Sequence, residues 1–327
     1  MRNLFRSLML SVVVGLAGIM AASAQSYPSH PITMIVPFPP GGITDIVARI
    51  VSDRLRVALN QTIVVENVGG AGGTIGVTRL VRSTPDGYTI GIGQWTSHVG
   101  SGAMYNLPFD ILNDLQPISL ISFAPLWIVG RKDLPANNLQ ELIAWLKANP
   151  KASGGTIGVG SGIQMCLIDF QNHTGAPFQV VPYRGAAPMM QDLLAGQIDL
   201  SCPEAGQTLP QYRAGSLKAY AVLTEKRWFA APDVPTIAEA GVKDVAFPFW
   251  HGLWAPKGTP KEIVDRLDAA VVESLDDPTV QQRFRDLGHE VAAPDQRTPQ
   301  ALYAYHKAEL DKWWPIIKAA NIKAPQQ

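Results

Sequence analysis

The sequence predicts an α/β protein of two lobes, each a mostly parallel sheet flanked by helices. Three observations predict it. Short apolar strands alternate with helix-spaced segments along most of the chain, and this alternation fills two successive blocks joined by chain that crosses more than once. Repeated strand–helix units imply parallel strands covered by helices on both faces. A chain of 327 residues also has ample core for two domains.

Residues 1–24 stand apart. Arg2 and Arg6 precede the apolar run "SLMLSVVVGLAGIMAA", and "ASA" precedes Gln25. That is the layout of a cleavable secretory signal peptide, and it predicts an exported, periplasmic mature chain. An uncleaved anchor is the other reading, but the apolar core is short for a membrane span and no second long apolar run follows.

The mature chain opens with "ITMIVPF" as a buried strand. In "TDIVARIVSDRLRVAL" the residues Ile46, Val47, Ile50, Val51, Leu55 and Leu59 share one helix face, and Arg49, Asp53, Arg54 and Arg56 take the other. "TIVVEN" is the next strand, "VTRLVRS" a helix, and "PDGYTIGIG" a turn followed by a strand. The middle repeats the pattern: strands in "PLWIVGRKDL", "TIGVG", "FQVVPYRG" and "IDLSCPEA", with helices in "LQELIAWLKANP", "GIQMCLIDFQNHTG" and "APMMQDLLAGQ". After a short helix and strand in "LPQYRAGSLKAYAVLT", the tail reads as largely helical, punctuated by proline starts and glycine stops.

Composition excludes several classes. Lys plus Arg and Asp plus Glu both number 27, without basic or acidic blocks, so neither nucleic acid nor an anionic membrane surface is an expected partner. Cys166 and Cys202 form no Cys-x-x-Cys or Cys/His ligand spacing, which argues against thiol redox chemistry, structural zinc or any other metal. In an oxidising compartment they either bridge or remain two separate buried thiols.

Ligands of open α/β sheets bind at the turns leading from strands into helices. Gly41-Gly42-Ile43-Thr44-Asp45 is such a turn, with Thr44 or Asp45 placed to cap the helix. Glycines ahead of a cap let a ligand approach the backbone, and N–H groups at a helix start favour an anion. A plain capped helix explains the same residues. Three further turns are similar: Trp95, Thr96, Ser97 and His98 in "GIGQWTSHVG", Ser161 and Gln164 in "GVGSGIQM", and Tyr183 and Arg184 in "VPYRGAAP". No P-loop, G-x-S-x-G elbow or H-E-x-x-H occurs, and "GVGSGI" lacks the third glycine of the dinucleotide fingerprint. The set is built to hold an anion, with no evident means of transforming one.

These residues resemble the periplasmic substrate-binding proteins of tripartite tricarboxylate transporters, the Bug family. The resemblance is carried by "YPSHPITMIVPFPPGGITDIVAR", "VVENVGGAGGTIG", "PDGYTIGIG", "VPYRGAAPMMQDLLAGQIDL", "RAGSLKAYAV" and "APDVPTIAEAG", in matching order and spacing over nearly the whole mature chain. It implies a Venus-flytrap fold, with residues 25–122 and 246–327 as one discontinuous lobe and 123–245 as the other. It implies a small carboxylate closed between the lobes, no cofactor, and delivery to the membrane permease subunits. Carried over, first-lobe contacts fall on Pro40, Gly41, Gly42, Thr44 and Asp45, with Thr74, Ser97 and His98 nearby; second-lobe contacts fall on Ser161, Gln164, Tyr183 and Glu204.

The chain departs from the family pattern where the ligand's distal end belongs. Gln164-Met165 replaces the usual His-Leu, and Glu204 stands where Asp or Asn is common. Trp95 either offers a flat face to an aromatic acid or plugs the junction between lobes. Arg184 either pairs with a ligand carboxylate or is simply exposed. Two other functions use the same features: a ligand sensor for a signalling system, and a hydrolase acting through Ser97 or Ser161. A monomer is expected.

Overall fold

The structure is a computed structural model that describes residues 27–158, 160–243, 245 and 247–319. The signal peptide expected at residues 1–24 lies outside the described residues. In chain order the first elements are β1 (Ile32–Val36), α1 (Ile43–Ala58), β2 (Ile63–Asn67), α2 (Thr74–Val81), β3 (Thr89–Gln94), a π turn (Thr96–Gly100) running into α3 (Ser101–Met104), and β4 (Leu115–Pro125). The middle holds β5 (Trp127–Arg131), α4 (Leu139–Ala148), β6 (Ser153–Thr156), α5 (Gly162–Thr174), β7 (Gln179–Pro182), α6 (Ala186–Leu194), β8 (Leu200–Ser201), α7 (Ala205–Arg213) and β9 (Leu217–Val222). The chain then continues through β10 (Pro248–Pro256), α8 (Lys261–Asp276), α9 (Pro278–Asp286), β11 (Glu290–Val291) and α10 (Pro299–Ala319).

The first sheet has the order β11-β4-β10-β3-β1-β2. β1 lies parallel between β2 and β3, and its continuous apolar run is buried on both faces. α1 covers it with Val47, Ile50, Val51 and Leu55, whereas Ile46, expected on the same face, is exposed. Two long strands that the sequence pattern does not announce, β4 and β10, complete this sheet with the two-residue β11. β10 runs antiparallel between β3 and β4, and β11 pairs antiparallel with the outer edge of β4. Prolines inside or at the ends of β4 and β10, and His251-Gly252 within β10, blur the strand signal; pairing on both sides supplies what local propensity lacks.

The second sheet has the order β7-β6-β8-β5-β9, with β6, β7 and β8 parallel and β5 antiparallel to both its neighbours. Its strands are shorter than the sequence suggests. The strand expected in "TIGVG" sits upstream at β6, because Gly158 and Gly160 take positive φ and turn the chain toward α5. The strand expected in "IDLSCPEA" contracts to Leu200–Ser201.

Only Leu126 separates β4 of the first sheet from β5 of the second. The return passes from β9 to β10, and the two crossings lie side by side: Leu223 N–H donates to the Leu126 carbonyl at 2.8 Å, and Phe247 N–H to the Leu223 carbonyl at 3.1 Å. One apolar cluster lies between the first sheet and α1, α8 and α9. The other runs from the opposite face of that sheet, at Trp95, Trp254 and Trp313, into the second lobe at Trp127, Phe170 and Leu200. Cys166 and Cys202, left open by their spacing, form a disulfide with Cα atoms 6.2 Å apart, tying α5 to the chain leaving β8.

Candidate functional site

The turn after β1 exposes Pro40, Gly41 and Gly42, while Thr44 and Asp45 are buried. Neither Thr44 nor Asp45 caps α1. The cap position is Gly42, and no side chain caps the helix, because the Asp45 carboxylate turns back to other partners. Asp45 Oδ2 accepts Gly41 N–H at 2.9 Å and Arg49 Nε at 3.0 Å, and Oδ1 accepts the Asn67 amide at 3.0 Å. Burial pushes this carboxyl up, but Arg49, Gly41 and Asn67 together outweigh it and hold Asp45 below the usual carboxylate range. The ring of contacts fixes the Pro-Gly-Gly turn and consumes Gly41 N–H. It leaves the first-turn N–H groups of a 16-residue helix uncapped by any side chain. Thr44 Oγ1 lies 3.4 Å from Nε2 of His251, which is wholly buried in β10 and paired with Gln94 at the end of β3.

The turn after β3 is mostly interior. Trp95 is fully buried, its ring 4.8 Å from Phe247 and 5.5 Å from Trp313. It plugs the junction and offers no face to a ligand in this conformation. Ser97 Oγ lies 2.9 Å from His98 Nδ1, so these neighbours do meet. Both are sealed from solvent, and His98 stacks on Trp254 at 3.9 Å. Burial holds His98 well below the ordinary histidine range. Thr96, in the same turn, reaches the other lobe: its Oγ1 accepts Gly162 N–H from the first residue of α5 at 3.4 Å. Thr74 opens α2, almost buried, beside a surface groove of about 550 Å³ that also takes in Arg79 and Arg82.

In the second lobe Ser161 caps α5, accepting Gln164 N–H at 3.2 Å, and Gln164 Oε1 accepts Gly160 N–H at 2.5 Å. The hydroxyl caps the helix start, and the amide three residues on reaches back to the N–H of the residue before the cap, while Ser161 N–H goes to the Gly158 carbonyl at 3.3 Å. Ser161 Oγ is also 2.7 Å from Thr156 Oγ1. Tyr183 OH donates to Asp192 at 2.7 Å; burial and then that carboxylate push the phenol up to about 12. Arg184 is exposed and makes no ion pair among the described residues. Glu204 is buried, its Oε1 2.6 Å from His289 Nε2.

Sequence reasoning missed His251, His289 and His306 because histidines scattered along a chain give no local signal. Folding pairs them: the His251 and His289 rings are 5.6 Å apart, and His306 Nε2 donates to the His98 carbonyl at 2.6 Å. Among the described residues no group of three or more His, Cys, Asp or Glu is placed to hold a metal, and no helix is long and apolar enough to cross a membrane.

Two sheets joined by paired crossings, with an uncapped helix start after β1 in one and a glycine turn before α5 in the other, have the architecture of solute receptors of the flytrap class. Residues 47–322 match the model of the tripartite tricarboxylate transporter family receptor, and the chain belongs to that family. Three solved structures are similar over most of the chain. The periplasmic binding protein BugD is 39% identical, covers 91% of this chain and 100% of its own, and superposes with a TM-score of 0.82. MatC from Rhodopseudomonas palustris, with bound malate, is 33% identical over 89% of this chain and 100% of its own, TM-score 0.82. R. palustris Rpa4515, with adipate, is 32% identical over 91% of this chain and 99% of its own, TM-score 0.83. This chain is therefore a periplasmic solute-binding protein and not an enzyme.

Proposed function

We propose that the protein captures a small dicarboxylate between its lobes and hands it to the membrane permease of a tripartite tricarboxylate-type transporter. The observation that carries this reading is the α1 start: Gly41 and Gly42 bare the backbone, and Asp45 is withdrawn into Arg49 and Asn67. One ligand carboxylate meets the first-turn N–H groups of α1, whose partial positive charge attracts it. Pro40 and Thr74 border that pocket and Thr44 floors it, while Ser97, His98 and Trp95 support it from within the lobe. The distal carboxylate meets the Gln164 amide, Tyr183 and the unpaired Arg184, on a turn that Ser161 shapes. Malate and adipate in two similar structures support the dicarboxylate class. The protein acts as a monomer, exported by its N-terminal leader.

Thermal melts of the chain from Gln25 test the reading, with malate and adipate set against their diamides. A ligand that binds only the folded state raises Tm with the logarithm of its concentration. The acids shift Tm and the amides do not. Shifts of equal size with acids and amides would remove anion capture from the account.

A further inference from the structure

We propose that Glu204 is a pivot residue. Paired with His289 of the other lobe, it sets the angle at which the two lobes rest, and it acts on the ligand only through that angle. The proposal rests on the receptor function above, since it concerns how that same site closes.

Glu204 sits where the lobes are closest to continuous chain. Its backbone forms a bridge to Leu126, the single residue between β4 and β5. It stands at the cap position of α7 yet makes no capping hydrogen bond with its side chain. The carboxylate turns instead toward His289, with 2.6 Å between Oε1 and Nε2. Side-chain exposure is 5% for Glu204 and 0% for His289; the two atoms face each other outside hydrogen-bond geometry, and neither has a hydrogen-bond partner. The opposite edge of the imidazole, Nδ1, lies 3.3 Å from Ser122 Oγ on β4. A buried carboxylate facing a ligand anion would oppose it, and here the carboxylate is turned to an imidazole of the other lobe.

The surrounding backbone is built for contact at this point. A Cβ on Gly206 would stand 1.8 Å from the Leu287 carbonyl oxygen, so only glycine lets α7 lie directly on that segment of the first lobe. Trp228 Nε1, from the second lobe, donates to the Gly288 carbonyl at 2.8 Å. Leu287, Gly288 and His289 are thus clasped by the second lobe at three points beside the Leu126 crossing. Contacts beside an axis of rotation move least when lobes part. Thr96 and Gly162 meet across the lobes through one long hydrogen bond, beside Phe247 of the return crossing. The Glu204–His289 pair therefore stays in contact through the cycle at a separation that changes with the angle, so it favours the angle it fits best and changes the affinity of every ligand alike.

The test is a double-mutant cycle with Glu204→Gln, His289→Gln and the pair together. Malate and adipate affinities are read by calorimetry, and the radius of gyration of the empty protein by X-ray scattering. Each single change weakens both acids by the same factor, about tenfold for directly interacting neighbours. The double variant is no weaker than the weaker single, and the empty variants differ in radius of gyration from the parent. Unequal factors for malate and adipate, or effects that multiply in the double variant, would make Glu204 a ligand contact and overturn the pivot. If Glu204→Gln does not fold, Ser122→Ala loosens His289 from β4 and carries the same expectation of equal factors. Absence of acid binding by the parent protein would refute the receptor's ligand class, while the scattering arm would still report on the pivot.

Discussion

Replacing Gly42 by valine separates ligand binding from folding. Gly42 has φ −76° and ψ 165°, extended backbone open to any residue, and a Cβ there meets only the Pro39 carbonyl at an ordinary 3.6 Å. The cost to the fold is the poorer cap that valine makes, about 1 kcal/mol. For a chain of this size that lowers Tm by roughly 3 °C. The isopropyl group stands at the helix start where a carboxylate must approach. A hydrogen bond to a charged group contributes about 1.5–3 kcal/mol, so losing one or two costs about 3 kcal/mol, or roughly a hundredfold in Kd. Gly42→Ala should fall between, whereas Gly41, at φ +80°, would add backbone strain to any substitution and confuse the two effects. Calorimetric titration with malate and adipate, paired with melts of the empty variant, reads both quantities. A valine variant that binds within about threefold of the parent would refute the anion site at α1. A drop in Tm beyond about 10 °C would refute the structural reasoning.

Three other outcomes follow from the structure. Reduction of Cys166–Cys202, or Cys166→Ser with Cys202→Ser, frees a segment with a sequence separation of 36 residues; on chain entropy this costs about 4 kcal/mol, visible as a lower Tm with dithiothreitol than without. Acidification should destabilise the protein below neutral pH. Burial depresses His306 to about 4 against an unperturbed 6.5, so between those values the unfolded chain takes up a proton that the native one refuses. Stability is full above about 6.5 and falls by about 3 kcal/mol as the pH drops to 4, with buried His98 and His251 adding in the same direction. Denaturant midpoints from pH 7 to 4 check it, and a flat profile would place these histidines in contact with water. Trp95→Ala should cost about 4 kcal/mol of stability, as a large buried aromatic does, while leaving the ratio of aromatic to aliphatic acid affinities unchanged; a changed ratio would return Trp95 to the binding surface.

The local features were legible in the sequence and the long-range ones were not. α1 and the Gly41-Gly42 turn announce themselves because helix spacing and turn chemistry need only a dozen neighbouring residues. β4 and β10 escape because they are held by each other, across more than a hundred residues of chain, in spite of their prolines. The helix cap falls on Gly42 and not on Thr44 or Asp45 for a similar reason: Asp45 is drawn to Asn67 at the end of β2, a partner that no local pattern reveals. Trp95 and His98 sit in a turn of the expected kind, yet face inward because Phe247, Trp254 and Trp313 arrive from the far end of the chain to enclose them. Gln164 stands out in the sequence by its type and position, but its acceptance of the Gly160 N–H depends on how the glycine turn folds.

The place of β10 between β3 and β4 has a consequence for how the chain is made. β3 and β4 do not pair with each other, so both keep open edges until residues 248–256 arrive. The second lobe, in contrast, is one uninterrupted segment from Trp127 to Val222 and contains its own disulfide. As the polypeptide emerges N-terminus first, this insert is the earliest unit able to finish itself, while the half-built sheet ahead of it waits with unpaired backbone exposed. A premature stop between β9 and β10 leaves a finished inner lobe attached to an outer one primed to stick to its neighbours.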